Sequence, residues 1–312
     1  MSGVERRESV QSVDVVSDLN AWDQFWFQPL CTDAIAPIRG LLAVLAIVFF
    51  VSAWADVSFW YADGGPLSGE RVASFLETGD LQAAGKWIVS PLFFIDAPWI
   101  YHAYLLIGIL ASVLVILGRG GRYLAFGLWL LVVGWANRSM LLSGLAESLL
   151  SMGLFAVAIA PAQAAHPLLV KFGGRLADRK EWSARFAQRL LATQITVVGV
   201  ATFVTMLGGR VWFNGIGAYA LAAPVQDRTF DWTGENSPLV SMFVHESLTH
   251  LMVIALPLGF AMAWIGKTNR LGQCLLLAWC LVVALLASHW LYASVFATMV
   301  MAIQPMSSRS HS

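Results

Sequence analysis

The chain has 312 residues, of which 58% are hydrophobic and 12% are charged, and its formal net charge is zero. Soluble domains carry about a quarter charged residues, so this composition excludes an ordinary soluble fold and predicts a polytopic membrane protein. The neutral total gives no reason to expect nucleic acid as a partner. The three cysteines make no disulfide framework and no zinc motif, so no metal site is predicted.

The chain divides into one long apolar domain between two polar tails. Residues 1–20 are polar and predict a disordered N-terminal tail without a cleavable signal peptide. Residues 21–30 are aromatic and amphipathic, which is typical of a segment at the lipid headgroup boundary. We therefore expect a single transmembrane domain over 21–305 and a C-terminal tail over 306–312.

Long apolar blocks predict the membrane helices, at 34–57, 99–118, 122–138, 143–163, 189–208, 244–266 and 271–304. The last block would reach about 50 Å as one helix, well beyond a hydrocarbon core of about 30 Å. We therefore divide it near Ser288–His289. The predicted fold class is all-α, a transmembrane bundle of seven to eight helices.

Two long segments between the apolar blocks predict structured extracytoplasmic loops. The first, 58–98, contains the turn signal Asp63–Leu67 and then a short helix around 68–77. The second, 209–243, is rich in Trp, Asn, Gly and Pro rather than in linker residues. We expect both loops to pack over the mouth of the bundle.

The distribution of Lys and Arg predicts the orientation. Thirteen of the 19 Lys and Arg residues fall on the side of the N-terminus and five on the side of the two loops. Positively charged flanks stay in the cytoplasm, so the N-terminus is predicted to be cytoplasmic. Arg39, near the start of the first helix, is expected to reach the interface by snorkelling.

Ionisable residues in apolar blocks are costly and therefore mark candidate sites. Asn137 and Arg138 end the third block and Glu147 begins the fourth, so Arg138 and Glu147 are predicted to form an ion pair across the turn. The functional alternative is a polar pocket made by these residues. His289, at the break in the last block, either is hydrated or lines that cavity.

Two further motifs surround the second loop. Glu246 and His250 are four residues apart and share a helix face, which suits acid–base chemistry or a single buried hydrogen-bonded pair. Trp212 and the turn pair Asn214–Gly215 form a loop signature after a helix end. By residue chemistry alone, Trp212 is an interfacial anchor.

Four segments together resemble a known family. They are WDQFWFQP with APIRGLLA, DVSFWYADGGPLS, WANRSMLLSGLAESLL, and QRLLATQITVVGVATFVTMLGGRVWFNGIGAYALA. In order and spacing, from about residue 22 to 305, they are similar to the HTTM domain. HTTM proteins are bacterial membrane relatives of vitamin K-dependent gamma-glutamyl carboxylase, so the resemblance implies the bacterial plasma (inner) membrane.

The resemblance also implies a chemistry and shows a departure from it. In the carboxylase relatives an amine base deprotonates a reduced quinone, which would make a quinone the implied cofactor. The family places a lysine six residues before the tryptophan, and here that position, counted from Trp212, is Met206. A thioether cannot hold the proton, so classical carboxylation is not expected.

Three functions follow. The first is an HTTM-like enzyme acting on a lipid-soluble, quinone-type or peptide substrate, with Glu246 and His250 as catalytic residues and Asn137, Arg138 and Glu147 shaping the pocket. The alternative is a non-catalytic membrane protein that binds a lipid or a partner peptide during export or maturation. A small transporter ranks last, because its usual midplane charges are missing.

Overall fold

The structure is a computed structural model that describes residues 20–31, 34–61, 64–78, 90–94, 97–139, 142, 144–160, 180–223, 229–234 and 237–304. The predicted tails lie outside these residues, apart from Asn20, whose side chain accepts a hydrogen bond from the Asp23 backbone and caps the first helix.

Helices account for nearly all of the described chain. In order they are α1 (Ala21–Phe27), α2 (Ala36–Trp54), α3 (Val57–Tyr61), α4 (Gly69–Thr78), α5 (Pro98–Ile116), α6 (Gly121–Arg138), α7 (Leu145–Ile159), α8 (Trp182–Gly208), α9 (Arg210–Phe213), α10 (Gly217–Ala222), α11 (Met242–Trp264), α12 (Asn269–Ala287) and α13 (Trp290–Val300). Short 3-10 turns lie at Pro91–Phe94 and Pro238–Val240.

Five helices, α2, α5, α8, α11 and α12, are long and apolar enough to cross a membrane. Two shorter apolar helices, α7 and α13, accompany them. This composition supports a helical membrane protein, as the sequence predicts. Both predicted loops contain helical structure, and the short helix expected at 68–77 is confirmed as α4.

The predicted division of the last apolar block is confirmed. Helix α12 ends at Ala287 and α13 begins at Trp290. Between them Ser288 has a φ of 55°, in the left-handed region that ends a right-handed helix.

Helix α8 begins at Trp182, not at the predicted residue 189. Its added first turns are held by α1, because the ring of Phe27 stacks on Phe186 at 5.9 Å and contacts Trp182 edge-on at 6.0 Å. Arg185 and Arg189 are therefore helical residues and not members of a loop.

Contacts between helix ends show that successive long helices alternate in direction. At the N-terminal end, where α2 begins, Arg122 at the start of α6 pairs with Glu181 before α8 at 3.3 Å. At the same end Asn269 of α12 donates to the carbonyl of Ile303 after α13, at 3.0 Å. The only β-structure in the described chain lies here too, where Leu30–Cys31 (β1) pairs antiparallel with Lys180–Glu181 (β2). We call the opposite end, which carries α3, α4, α9 and α10, the loop end.

Arg39 is buried within the N-terminal end, which corrects the snorkelling prediction. Only 2% of its surface is exposed. It precedes Leu42, Ala43 and Ala46 on the buried side of α2, so its side chain is covered by protein rather than by the interface.

Glycines allow the closest helix packing. A Cβ atom on Gly272 of α12 would collide with the Ala263 amide nitrogen and lie 2.7 Å from the Gly259 carbonyl oxygen, both in α11. These neighbours are backbone atoms that cannot move aside. Small residues at such crossings are the usual means by which membrane helices approach closely.

We expect Gly272→Ala to separate α11 from α12 and to lower the free energy of unfolding by about 2 kcal/mol, as overpacking does. Gly127→Ala on α6 is the matched control, because a Cβ there meets nothing within 4 Å. Thermal unfolding in detergent measures both. Equal midpoints for the two variants would contradict this close contact.

Candidate functional site

Arg138 is the central polar residue of the loop end. It ends α6 and is completely buried, with 0% exposure. Its Nε and Nη2 donate to the Tyr101 hydroxyl at 3.2 and 3.0 Å, and Nη2 also donates to the Leu67 carbonyl at 2.6 Å. One guanidinium therefore connects α6, α5 and the first loop.

Aromatic rings take the place of a carboxylate partner for Arg138. Its guanidinium carbon lies 5.0 Å from the ring centre of Tyr61, 5.6 Å from that of Tyr101 and 6.0 Å from that of Phe93. A guanidinium this close to an aromatic face is attracted by the ring quadrupole, more strongly when water is excluded. Trp135 packs against Tyr61 at 5.2 Å and supports this arrangement.

The predicted ion pair between Arg138 and Glu147 is wrong. Glu147 accepts a hydrogen bond from the backbone N–H of Gly144 at 2.7 Å and so caps the start of its own helix, α7. Gly144 has no side chain for that role, and a carboxylate at a helix N-terminus also gains from the helix dipole. Within the described residues, the recorded ion pair is the one between Arg122 and Glu181.

Glu147 instead lines a cleft of about 150 Å³ at the loop end. The lining groups are two carboxylates, three hydroxyls and several apolar side chains: Asp56, Glu147, Ser52, Tyr61, Ser139, Phe49, Ala53, Trp60, Trp135, Leu142 and Leu291. We call this the loop-end cleft. Asp56, which lies between α2 and α3, is a lining residue that was not predicted from the sequence. The feature that could have indicated it is its position directly after an apolar helix, where an acidic residue is unusual.

Tyr61 separates the cleft from Arg138. Its ring faces the guanidinium, and its hydroxyl hydrogen-bonds with Ser139. Burial raises the pKa of Tyr61 to about 12, although the Ser139 hydrogen bond and the charge of Arg138 oppose that rise. Tyr61 therefore offers the cleft a neutral hydroxyl at physiological pH.

The other two residues of the predicted polar pocket, Asn137 and His289, lie at the margin of the loop-end cleft. Asn137 is half-buried beside Arg138 on α6 and does not line the cleft. His289 is exposed at the N-cap of α13, two residues before the cleft residue Leu291. The structure thus places Glu147 in the cleft and Arg138 behind it.

The predicted catalytic pair lies apart from this cleft, on α11. Glu246 and His250 are both exposed. The Nδ1 of His250 lies 2.9 Å from the Glu246 backbone oxygen, and their side chains form no ion pair within the described structure. This arrangement excludes the reading of one buried hydrogen-bonded pair, and a catalytic role for the two residues stays a prediction.

The loop signature docks on α11 beside Glu246. Gly215 has a φ of 78°, and a Cβ atom there would lie 2.6 Å from Glu246 Cγ, so the turn needs glycine. The hydroxyl of the buried Thr249 lies 2.9 Å from both the Gly215 carbonyl oxygen and the Ala218 amide nitrogen. Thr249 was missed because a threonine in an apolar helix usually bonds within its own helix, as this one also does to His245.

The remaining signature residues have structural positions. Trp212 is half-buried, and its indole lies where a side chain on Gly217 would be. Asn214 is exposed. Met206, at the position where the HTTM resemblance expects a lysine, is buried among apolar residues of the core. In the described residues no group of three or more His, Cys, Asp or Glu is placed to hold a metal ion.

We expect Arg138→Lys to destabilise the protein by about 2 kcal/mol, because one ammonium cannot reproduce the forked hydrogen bonds to Tyr101 and Leu67. Arg210→Lys, at an exposed position at the same end, is the control. Thermal unfolding of both variants in detergent is the measurement. A lysine variant as stable as the wild-type protein would refute this role of the guanidinium.

The raised pKa of Tyr61 predicts a pH dependence. Because the folded protein holds the Tyr61 proton more tightly than the unfolded chain, the resulting stability is complete below pH 10 and is lost as the pH rises toward about 12. The difference in tyrosinate absorbance between wild type and Tyr61→Phe should have its midpoint near 12. A midpoint near 10 while circular dichroism still reports folded protein would contradict it.

Comparison with known proteins gives no family for the chain: no family model, no curated protein and no solved structure matches it.

Proposed function

We propose that the chain is an HTTM-like membrane protein that binds a partner peptide in the loop-end cleft without transforming it. In this proposal eight helices cross or enter the bilayer: α2, α5, α6, α7, α8, α11, α12 and α13. The N-terminal end is cytoplasmic, and the loop end faces outward from the bacterial inner membrane. The alternating helix directions and the excess of Lys and Arg on the N-terminal side support this orientation.

The two shortest of these eight helices, α7 and α13, are compatible with this arrangement. Helix α7 is about 22 Å long and α13 about 16 Å, both less than a hydrocarbon core of about 30 Å. Both contact neighbouring helices of the bundle: α7 packs on α6 and α8, and α13 packs on α12.

One observation carries the proposed binding function: Asp56 and Glu147 share a cleft with the rings of Trp60 and Trp135. Carboxylates accept hydrogen bonds from cations, and aromatic faces attract them. The group that fits is therefore an ammonium or a guanidinium. Arg138 does not neutralise the carboxylates, because its hydrogen bonds go to Tyr101 and Leu67.

The size of the cleft favours a single side chain as its occupant. Sites for whole small molecules have volumes of about 300–1,000 Å³. The loop-end cleft, at about 150 Å³, is smaller than this range. It suits one basic side chain of a longer partner better than a complete quinone.

Exposed apolar residues beside the cleft suit the rest of such a partner. Phe59 is 66% exposed and Leu145 is 72% exposed, each next to a cleft-lining element, and Leu142 of the lining is 47% exposed. Apolar side chains around a polar recess are typical of a protein-binding surface. We infer that a peptide lies over them with its basic side chain in the cleft.

Binding is favoured over the enzymatic alternative by the positions of the proposed chemical groups. A base that deprotonates a quinone or a glutamyl carbon needs a dry pocket that tunes its pKa. Glu246 and His250 are exposed, and Met206 supplies no base. An HTTM-type reaction would therefore require a base other than these residues.

Glu147→Gln tests the proposal. The amide oxygen still accepts the Gly144 hydrogen bond, but the charge is lost. We expect the affinity for a hexapeptide library with a fixed central lysine to fall about tenfold, as when a hydrogen bond to a charged group is lost. Thermophoresis of the purified protein in detergent measures the affinity, and a library with norleucine in place of lysine measures the contribution of the amine.

Glu246→Gln is the matched control, because it removes a carboxylate at the same end but outside the cleft. Equal losses in both variants, or no preference for lysine over norleucine, would overturn the assignment of the cleft. Recovery of one quinone per protein by native mass spectrometry would favour the enzymatic alternative instead.

A further inference from the structure

A second recess lies on the side of the bundle, between α8 and α11. It is a half-open groove of about 260 Å³, lined on α8 by Thr196, Gly199 and Phe203 and on α11 by Pro257, Phe260 and Trp264. We call it the lateral groove. It shares no lining residue with the loop-end cleft.

The lateral groove offers hydrocarbon surface and no free polar group. Its one hydroxyl, on Thr196, donates to the Ala192 carbonyl at 2.7 Å and accepts from the indole N–H of Trp264 at 3.0 Å. With both roles filled, the groove has nothing to offer a polar ligand. This apolar lining suits an alkyl or acyl chain.

Two arginines lie at the N-terminal end of this groove. The guanidinium carbon of Arg189 is 5.8 Å from the ring centre of Trp264, the residue that closes the groove at that end. Arg185 lies one helical turn before Arg189, so both side chains are on the same side of α8. The apolar groove and the cationic groups are therefore continuous.

Some hydrogen-bond donors of Arg185, Arg189 and Gln188 have no partner within the described part of the chain. The Nε atoms of Arg185 and Arg189 are buried and have no hydrogen-bond partner there. The same holds for the Nε2 donor of Gln188, a residue that is 1% exposed. Buried donors of this kind are costly unless something bonds to them.

No acidic side chain of the described residues neutralises the two arginines. Asp23 on α1 and Glu181 before α8 are the carboxylates on the adjoining elements, and the only ion pair recorded there joins Glu181 to Arg122. Arg189 uses Nη1 to donate to the Gln304 carbonyl at 2.6 Å and lies 4.5 Å from the ring of Phe25. Within the described residues neither arginine has a carboxylate partner, and the half-buried Arg185 is the more accessible of the two to an anion.

The position of the arginines matches the level of lipid headgroups. Exposed aromatic residues at the same end, Trp22, Phe27 and Trp182, have the character of an interfacial belt. From Arg189 to Phe203, α8 rises about 21 Å. That is close to half of a bilayer of about 40–45 Å including its headgroups, so the site spans one leaflet.

We propose that this site binds one anionic phospholipid, with an acyl chain in the lateral groove and the phosphate at Arg185. The ring of Phe25 covers the guanidinium of Arg189, so Arg189 contributes its positive charge without contacting the lipid. The site has the pattern of a basic recess between membrane helices that holds an anionic headgroup.

Lipid binding to the purified full-length protein in detergent tests the proposal. Native mass spectrometry counts bound dioleoylphosphatidylglycerol and dioleoylphosphatidylcholine, offered at equal concentration. We expect one phosphatidylglycerol to remain bound at concentrations at least fivefold below those that phosphatidylcholine needs. Arg185→Gln should remove this preference, whereas Arg210→Gln, an exposed arginine at the loop end, should keep it.

A second pair of variants tests the groove separately. Ala261→Trp places a large ring in the groove from an exposed lining position, and Ala201→Trp adds the same ring to an exposed position of α8 outside the lining. We expect only Ala261→Trp to lower phosphatidylglycerol binding. Thermal midpoints without added lipid show whether each variant is folded, and Val200→Trp replaces Ala261→Trp if the latter does not fold.

Three results would overturn the proposal. The first is equal retention of the two lipids by the wild-type protein. The second is stabilisation by inorganic phosphate that matches that by phosphatidylglycerol, which would identify a free-anion site. The third is full phosphatidylglycerol binding by the folded groove variant, Ala261→Trp or its replacement Val200→Trp.

Discussion

The buried guanidinium of Arg138 joins three segments that are distant in the chain, because from the end of α6 it donates to Tyr101 of α5 and to the Leu67 carbonyl of the first loop. Such a charge is tolerated without a carboxylate because Tyr61 and Phe93 supply aromatic faces. The loop-end cleft depends on this arrangement, since Tyr61 is at once a wall of the cleft and a cover of the cation. If Arg138 were paired with Asp56 or Glu147, that carboxylate would not be available to a ligand in the cleft.

Apolar periodicity predicts the helices well, whereas pairing between side chains is predicted poorly. The break near Ser288 follows from length alone, because one helix over 271–304 would exceed the bilayer. The predicted partner of Arg138 was wrong because Glu147 is the acidic residue nearest to it in the sequence. Its actual partners are a tyrosine hydroxyl and a backbone carbonyl, which are uncharged and therefore cannot be recognised from a charge pattern. Asp56 was missed for a related reason, since it becomes a site residue only when α2 and α7 bring it near Glu147.

The two ends of the bundle handle buried cations differently. At the loop end Arg138 donates from Nε and Nη2 to protein groups, while its buried Nη1 has no hydrogen-bond partner among the described residues. At the N-terminal end Arg185 and Arg189 retain unused donors beside an apolar groove. Composition cannot distinguish these cases, because each is an arginine near the end of an apolar helix. The difference lies in the surroundings of the guanidinium. Arg138 is enclosed by the rings of Tyr61, Tyr101 and Phe93, whereas Arg189 lies beside Trp264, which lines a half-open groove.

The pairing of β1 with β2 has a consequence for the order of assembly during synthesis. Leu30 lies opposite Glu181, and α1 packs its aromatic rings on Phe186 at the start of α8. Helix α1 therefore lacks this docking surface until the ribosome has made α8, after the segments for α2, α5, α6 and α7. Until then its aromatic side chains lack these partners, and their amphipathic pattern suits a membrane surface.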